Sequence, residues 1–108
     1  MNFKWLNLGR MKKFKVLLNG QNFLVWTDGH LRAVEFFATR YVEALDANEA
    51  ELRAVDMLRD DPELIELTQN DPNDPPMIYL ESIQEVEEMC TVSGYTFYSS
   101  EEDSSVPE

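Results

Sequence analysis

The residues best suited to nucleophilic catalysis are the single cysteine, Cys90, and the single histidine, His30. A thiol or a hydroxyl becomes a nucleophile when a neighbouring base accepts its proton. His30 directly follows Asp28-Gly29, a pair typical of turns, and nothing in the spacing brings it to Cys90. Ser93-Gly94 lacks the Gly-x-Ser-x-Gly pattern that exposes a hydrolase serine. We therefore predict that Cys90 is a small, partly buried residue, that His30 is an exposed turn residue, and that the chain has no catalytic residues.

Metal and cofactor binding are not expected from this composition. One His and one Cys cannot fill the usual shell of nitrogen and sulfur ligands around zinc. Asp71, Asn73 and Asp74 resemble the start of an EF-hand calcium loop, but prolines occupy positions 75 and 76, where a ligand and then a glycine are needed. The four glycines are dispersed and form no phosphate-binding loop. The sequence predicts no metal site and no cofactor site.

Glu81 is the carboxylate with the clearest catalytic alternative, because it lies among the apolar residues Leu80 and Ile83. In a pocket, desolvation would raise the pKa of Glu81 and suit it to proton transfer. On a sheet with one solvated face, the same residue is simply an outward-pointing side chain. We favour the second interpretation, which leaves a small carboxylate-using enzyme as the least favoured function.

Charge is distributed unevenly along the chain. Residues 1–40 contain seven Lys or Arg and two acids, whereas residues 41–108 contain two Arg and nineteen acids, which gives +5, −17 and a net charge of −12. The net negative charge repels the phosphates of nucleic acids, so no nucleic-acid binding is predicted. The cluster of Lys12, Lys13 and Lys15 is typical of the protection of a sheet edge or of a match for acids elsewhere in the protein. The acidic half is suited to solubility or to occupying a basic site on a partner.

The pattern of the N-terminal half predicts three strands. Apolar and charged residues alternate from Lys12 to Leu18, and Asn19-Gly20 then predicts a type I′ hairpin turn. A return strand follows from Gln21 to Trp26. The Asp-Gly turn leads to a third strand from about Arg32 to Leu45, whose length suggests a bulge or a bend and whose apolar row is interrupted by Arg40.

Two helices are predicted in the middle of the chain. Asp46 and Glu49 are spaced as a capping box at the start of the first helix. Pro62 ends this helix near Asp60, and Asp61-Pro62 starts a short second helix. The apolar stripe of the first helix has the helical period and consists of Ala50, Ala54 and Leu58, with Val55 and Met57 beside it.

The remaining elements complete an α+β fold. Residues 68–76, rich in Pro, Asn and Asp, predict a loop; residues 77–86 predict a strand, and residues 95–98 a last strand after a turn near Ser93-Gly94. The predicted fold is a mostly antiparallel sheet in the order β-β-β-α-(short α)-β-β, with the main helix packed on one face. Strands three and four flank the helices, which predicts a right-handed crossover if both lie in one sheet.

One domain is predicted, at residues 12–98. Residues 1–11 are predicted to be an N-terminal arm or leader, with Met11 as an alternative start, and residues 99–108 a disordered acidic tail. No apolar run approaches the roughly twenty residues of a transmembrane helix, so no membrane association is predicted. The first residues do not resemble a secretory signal and the lone cysteine forms no internal disulfide, which together favour a cytoplasmic location.

Aromatic residues exceed what one face of a small sheet needs. They either form a second apolar sheet face that binds a partner or another copy, or a smaller cluster under the proline-rich loop and the second helix. The residues concerned are Trp26, Phe37, Tyr41, Tyr79, Tyr95 and Tyr98.

Three functions are compatible with these patterns. The favoured hypothesis is a small non-enzymatic interaction domain whose partner is another protein or a second copy, with self-association through the sheet. The alternative is an acidic inhibitor or immunity-type protein that occupies a basic site on its partner. The third hypothesis is the carboxylate-using enzyme.

Overall fold

The computed structural model describes residues 10–99, and one long hairpin dominates them. β1 (Lys12–Thr27) and β2 (His30–Ala44) pair in antiparallel orientation from end to end. The two residues between the strands, Asp28 and Gly29, have φ values of 53° and 81°. A type I′ turn requires positive φ at both central positions, so the Asp-Gly turn forms where the sequence predicts it.

The predicted hairpin turn at Asn19-Gly20 is wrong, because both residues lie inside β1. Gly20 pairs with Phe36 of β2, and the Phe36 ring occupies the space that a Cβ at Gly20 would need. The glycine is therefore required by an aromatic ring packed across two strands, not by a turn. The chain instead bulges between Gly20 and Phe23, where Asn22 adopts a φ of 62°.

The loss of that turn changes the predicted element order. The first two predicted strands are the single strand β1, so the observed order is β-β-α-α-β-β. β3 (Met77–Val86) pairs with β1 and β4 (Thr96–Ser99) pairs with β2, both antiparallel, which gives the strand order β3-β1-β2-β4. The α+β class and the mostly antiparallel sheet are confirmed. β2 and β3 run parallel to each other with β1 between them, so the helices connect strands that are not neighbours.

The helices α1 (Ala47–Arg59) and α2 (Pro62–Leu67) begin at the predicted caps. The N–H of Glu49 donates to Asp46 Oδ1 at 2.9 Å, and the N–H of Leu45 donates to Glu49 Oε1 at 2.7 Å. The arrangement resembles a capping box, except that the Glu49 side chain reaches back to the residue before the N-cap Asp46. Asp61 caps α2 by accepting the N–H of Glu63 at 3.0 Å.

A single apolar core lies between the helices and one face of the sheet. α1 contributes Ala50, Ala54 and Leu58, and α2 contributes Leu64, all of them buried. The main helix therefore packs on one face, as predicted; we call this side of the sheet the core face. The strands contribute Phe14, Val16, Leu18, Phe23, Val25, Val34, Phe36, Ala38, Val42 and Ala44.

The proline-rich loop is fixed to the bulge in β1. Before the start of β3, the N–H of Gln69 donates to the Leu24 carbonyl, and the N–H of Leu24 donates to Asn70 Oδ1, both at 2.8 Å. Asn70 Nδ2 also donates to the carbonyl of Asn22 at 2.8 Å. The loop thus continues the hydrogen bonding of this edge of the sheet beyond Met77, where β3 begins.

The predicted arm and tail fall mostly outside the described part of the chain. Of residues 1–11 the structure describes Arg10 and Met11, and of residues 99–108 it describes Ser99, the last residue of β4. No helix within residues 10–99 is long and apolar enough to cross a membrane.

Candidate functional site

The side of the sheet opposite the helices carries many apolar side chains; we call it the open face. Directly paired residues of antiparallel strands share a face. The pairs Trp26–Leu31, Leu24–Ala33 and Leu17–Thr39 therefore lie together on the open face. Its apolar members include Leu17, Leu24, Trp26, Leu31, Ala33, Phe37, Tyr41 and Tyr79.

Several of these side chains are large and accessible. Trp26 is 57% exposed, Leu31 45% and Tyr79 46%, while Phe37 and Tyr41 are half-buried. Phe37 lies beside Tyr98 of β4, with ring centroids 5.8 Å apart. Aromatic residues are enriched at protein interfaces, and a contiguous exposed apolar patch on a small domain is typical of a binding surface.

Charge on the open face is balanced, in contrast to the rest of the molecule. Lys13 and Lys15 of β1 and Glu35 and Glu43 of β2 point to this side, since Lys13 pairs with Glu43 and Lys15 with Tyr41. Most of the acids within residues 10–99 lie elsewhere. The exposed acids of the two helices and of the segments that follow them are Asp56, Asp60, Glu63, Glu66, Asp71 and Asp74, among others.

A second polar feature, on the core face, centres on Arg40, which is only 3% exposed. Its Nη1 donates to the carbonyls of Thr39 at 2.7 Å and Gly94 at 3.0 Å, and its Nη2 to that of Ser93 at 3.1 Å. The guanidinium carbon lies 4.8 Å from the centroid of the Tyr95 ring. A buried cation needs such partners, so Arg40 ties the segment before β4 to the sheet.

Tyr95 extends this network to the helices. Its hydroxyl donates to Asp61 Oδ2 at 2.6 Å, and its ring packs edge-on against Phe36, 5.1 Å between centroids. Arg40, Tyr95 and Asp61 together join β2, the C-terminal segment and the start of α2. The polar groups of the three residues bond to one another and to the backbone, which indicates a structural role.

No family model, curated protein or solved structure matches this chain.

The two residues considered for nucleophilic catalysis lie far apart. His30 is exposed at the start of β2, while Cys90 lies beside Tyr41 near the other end of that strand, where a hydrogen bond with the thiol raises the pKa of Tyr41. Eleven residues of extended strand separate His30 from Tyr41, which corresponds to roughly 35 Å. Cys90 is exposed, so its predicted partial burial is wrong, because it lies after the end of β3 in a segment with no cover.

The carboxylates singled out by the sequence are likewise dispersed. Glu81 is exposed at a register shift of β3, where Leu17 pairs with Ser82 but Leu18 pairs with Leu80. In the proline-rich loop, Asp71 Oδ1 accepts the N–H of Asn73 at 3.0 Å. Within residues 10–99 no three His, Cys, Asp or Glu residues are grouped so that they could hold a metal ion.

The aromatic surplus divides between the two faces of the sheet. Trp26, Phe37, Tyr41 and Tyr79 lie on the open face, whereas Tyr95 stacks on Phe97 and joins the core. The sequence did not identify the network of Arg40, Tyr95 and Asp61. Its one signal was the interruption of an apolar row by Arg40.

The Tyr95–Asp61 hydrogen bond makes stability depend on pH at both extremes. The bond from Tyr95 lowers the pKa of Asp61, so its contribution is present above the pKa of the unfolded carboxyl, about 4, and is lost as the pH falls through the folded value. Burial, aided by the bond to Asp61, raises the pKa of Tyr95 to about 12. Its contribution is therefore present below about pH 10, the pKa of the unfolded tyrosine, and is lost as the pH rises from there towards the folded pKa of about 12.

We expect Tyr95→Phe to lower the free energy of unfolding by about 1 kcal/mol at neutral pH, since the bond is partly exposed. The difference from the unmodified protein should shrink below pH 4 and above pH 10 (both approximate). Urea unfolding at three pH values measures this difference in the free energy of unfolding. The control is Tyr79→Phe, because Tyr79 is exposed. A difference that is the same at all three pH values would contradict the assignment.

Proposed function

We propose that this protein is a non-enzymatic interaction domain that self-associates by stacking the open faces of two copies. The observation that carries the proposal is the exposed aromatic surface opposite the helices, centred on Phe37 and Tyr79 and ending at Trp26. Two sheets stacked face to face would remove these side chains from water.

The size of the open face is adequate for a specific dimer. From Leu31 to Glu43 it is roughly 40 Å long, and three strands make it roughly 14 Å wide, or on the order of 550 Å² in each copy. Two copies would together bury on the order of 1,100 Å², which is near the lower limit for a specific interface.

Charge supports a second copy as the occupant. Two molecules with a net charge of −12 repel one another, which normally disfavours association. The open face carries two lysines and two glutamates, while the acidic helices lie on the opposite side. Stacking the open faces directs both acidic layers outward and keeps them far apart.

Placing charge on the open face should dissociate the dimer. We expect the double variant Trp26→Glu, Leu31→Glu to raise the dissociation constant at least ~100-fold, because glutamates without partners would become buried. Both residues are exposed, so the fold should persist. Sedimentation velocity over a concentration series measures the effect.

The matched control for this experiment is Leu52→Glu. Leu52 is 66% exposed on the side of α1 away from the sheet, so the same change in residue type there should leave the dissociation constant unchanged. A double variant that associates as strongly as the unmodified chain would refute stacking through the open face.

A second candidate function is an acidic domain that occupies a basic site on a partner protein. The observation that favours it is that no Lys or Arg follows Arg59 in the sequence, while the exposed acids of both helices lie on one side of the sheet. Binding of this kind should weaken steeply with salt, whereas stacking of apolar faces should not.

A further inference from the structure

β3 is an edge strand whose outer side has no partner within residues 10–99. It pairs with β1 alone, over the whole span from Met77 to Val86. In an antiparallel pair, alternate residues direct both their N–H and C=O groups away from the neighbour. β3 therefore presents a row of free backbone donors and acceptors, which is the usual template for the addition of a further strand.

A row of apolar side chains lies beside this edge on the core face, and we call it the trough. It consists of Val55 of α1 and of Ile78 and Ile83 of β3, which pack against the margin of the core and are only partly buried. Leu80, between the two isoleucines, is 37% exposed. A strand added to β3 would place alternate side chains in the trough between β3 and α1.

The trough ends in a cavity at the Met77 end of β3. The cavity has a volume of about 570 Å³ and is lined mainly by apolar side chains. Its only charged lining residue is Arg59, and Ile65 of α2, 58% exposed, lies at its rim. This volume is within the range of pockets that enclose organic groups, so it accommodates a large apolar side chain.

Charge determines what can pair with the edge. Glu81 and Glu85 lie on β3, and Glu87 and Glu88 follow it. Pairing of β3 with the β3 of a second copy would set glutamates against glutamates, which is unfavourable. A segment with Lys or Arg opposite Glu81 and Glu85 would instead be attracted.

We propose that β3 accepts an extended basic segment of a partner protein as a fifth strand, anchored by a large apolar side chain in the cavity beside Ile65. The anchor lies near Ile78 and the basic residues lie three to seven positions further along, opposite Glu81 and Glu85. This surface is distinct from the open face, so the inference does not depend on self-association.

The test is selection of random nine-residue peptides, displayed on phage, against the full chain. We expect enriched sequences to combine a large apolar residue with at least two Lys or Arg. Ile65→Gln, which makes one apolar wall of the cavity polar, should weaken their binding at least ~10-fold, a loss typical of an apolar anchor. Glu85→Lys should weaken peptide binding about threefold. The control Glu63→Lys, on α2, should have little effect on peptide binding.

Three results would overturn the proposal. The first is selection that enriches no sequence, and the second is enrichment of peptides without basic residues. The third is binding that survives both Ile65→Gln and Glu85→Lys. The variant Trp26→Glu, Leu31→Glu separates the two proposals, because peptide binding at β3 should be retained in it even though the dimer is lost.

Discussion

Replacing Gly20 by alanine should lower the free energy of unfolding by about 2–3 kcal/mol, an unusually large effect for the addition of one methyl group. The added Cβ would overlap the ring of Phe36, which is fully buried in the centre of the core. Phe36 is held by Phe23 at 4.9 Å and by Tyr95 at 5.1 Å between ring centroids, so the ring cannot move aside without disturbing both.

Urea unfolding of Gly20→Ala measures this effect, and Gly94→Ala is the matched control. A Cβ at Gly94 would meet no atom within 4 Å, so the control should be close to neutral. A second test is the double variant Gly20→Ala, Phe36→Leu. If the clash is the cause, the two substitutions together should cost less than the sum of their separate effects. Strict additivity would contradict the explanation.

Replacing Arg40 by methionine should lower the free energy of unfolding by about 2 kcal/mol, because the carbonyls of Thr39, Ser93 and Gly94 lose their donor. Methionine keeps most of the apolar stem and removes the charge, so the cost reports on the hydrogen bonds and the contact with Tyr95. Hydrogen exchange should also become faster in the segment around Tyr95, which Arg40 ties to the sheet.

Arg32→Met is the control for this prediction. Arg32 lies on the same strand and the same side of the sheet as Arg40 but is exposed, so its loss should change the free energy of unfolding by less than about 0.5 kcal/mol. Faster hydrogen exchange throughout the protein, with no preference for the segment around Tyr95, would contradict the proposed role of Arg40.

Local signals predicted the helices well and the first hairpin poorly. Asp46, Asp61 and Pro62 determine the starts of α1 and α2 through bonds to nearby backbone groups, so neighbouring residues suffice to locate them. Asn19-Gly20 has the composition of a turn, but Gly20 is needed because Phe36, sixteen residues away, packs over it. Tertiary packing overrides turn propensity there, and a local pattern cannot reveal it.

The surface features could be predicted only in part. The excess of aromatic residues left two alternatives, a second apolar sheet face or a smaller cluster under the loop and the second helix. The structure places Trp26, Phe37 and Tyr79 on one face of the sheet. The free edge of β3 and its cavity depend on strand order, which joins residues far apart in sequence. The buried network of Arg40 depends equally on contacts with residues more than fifty positions away.

The molar mass of the unmodified chain in solution tests the central claim most directly. Light scattering at roughly 50 µM, a concentration that populates a dimer of micromolar affinity, should give a mass of twice 12.6 kDa. Because the proposed interface is apolar, the mass should persist at high salt. A mass of 12.6 kDa at this concentration would contradict self-association through the open face.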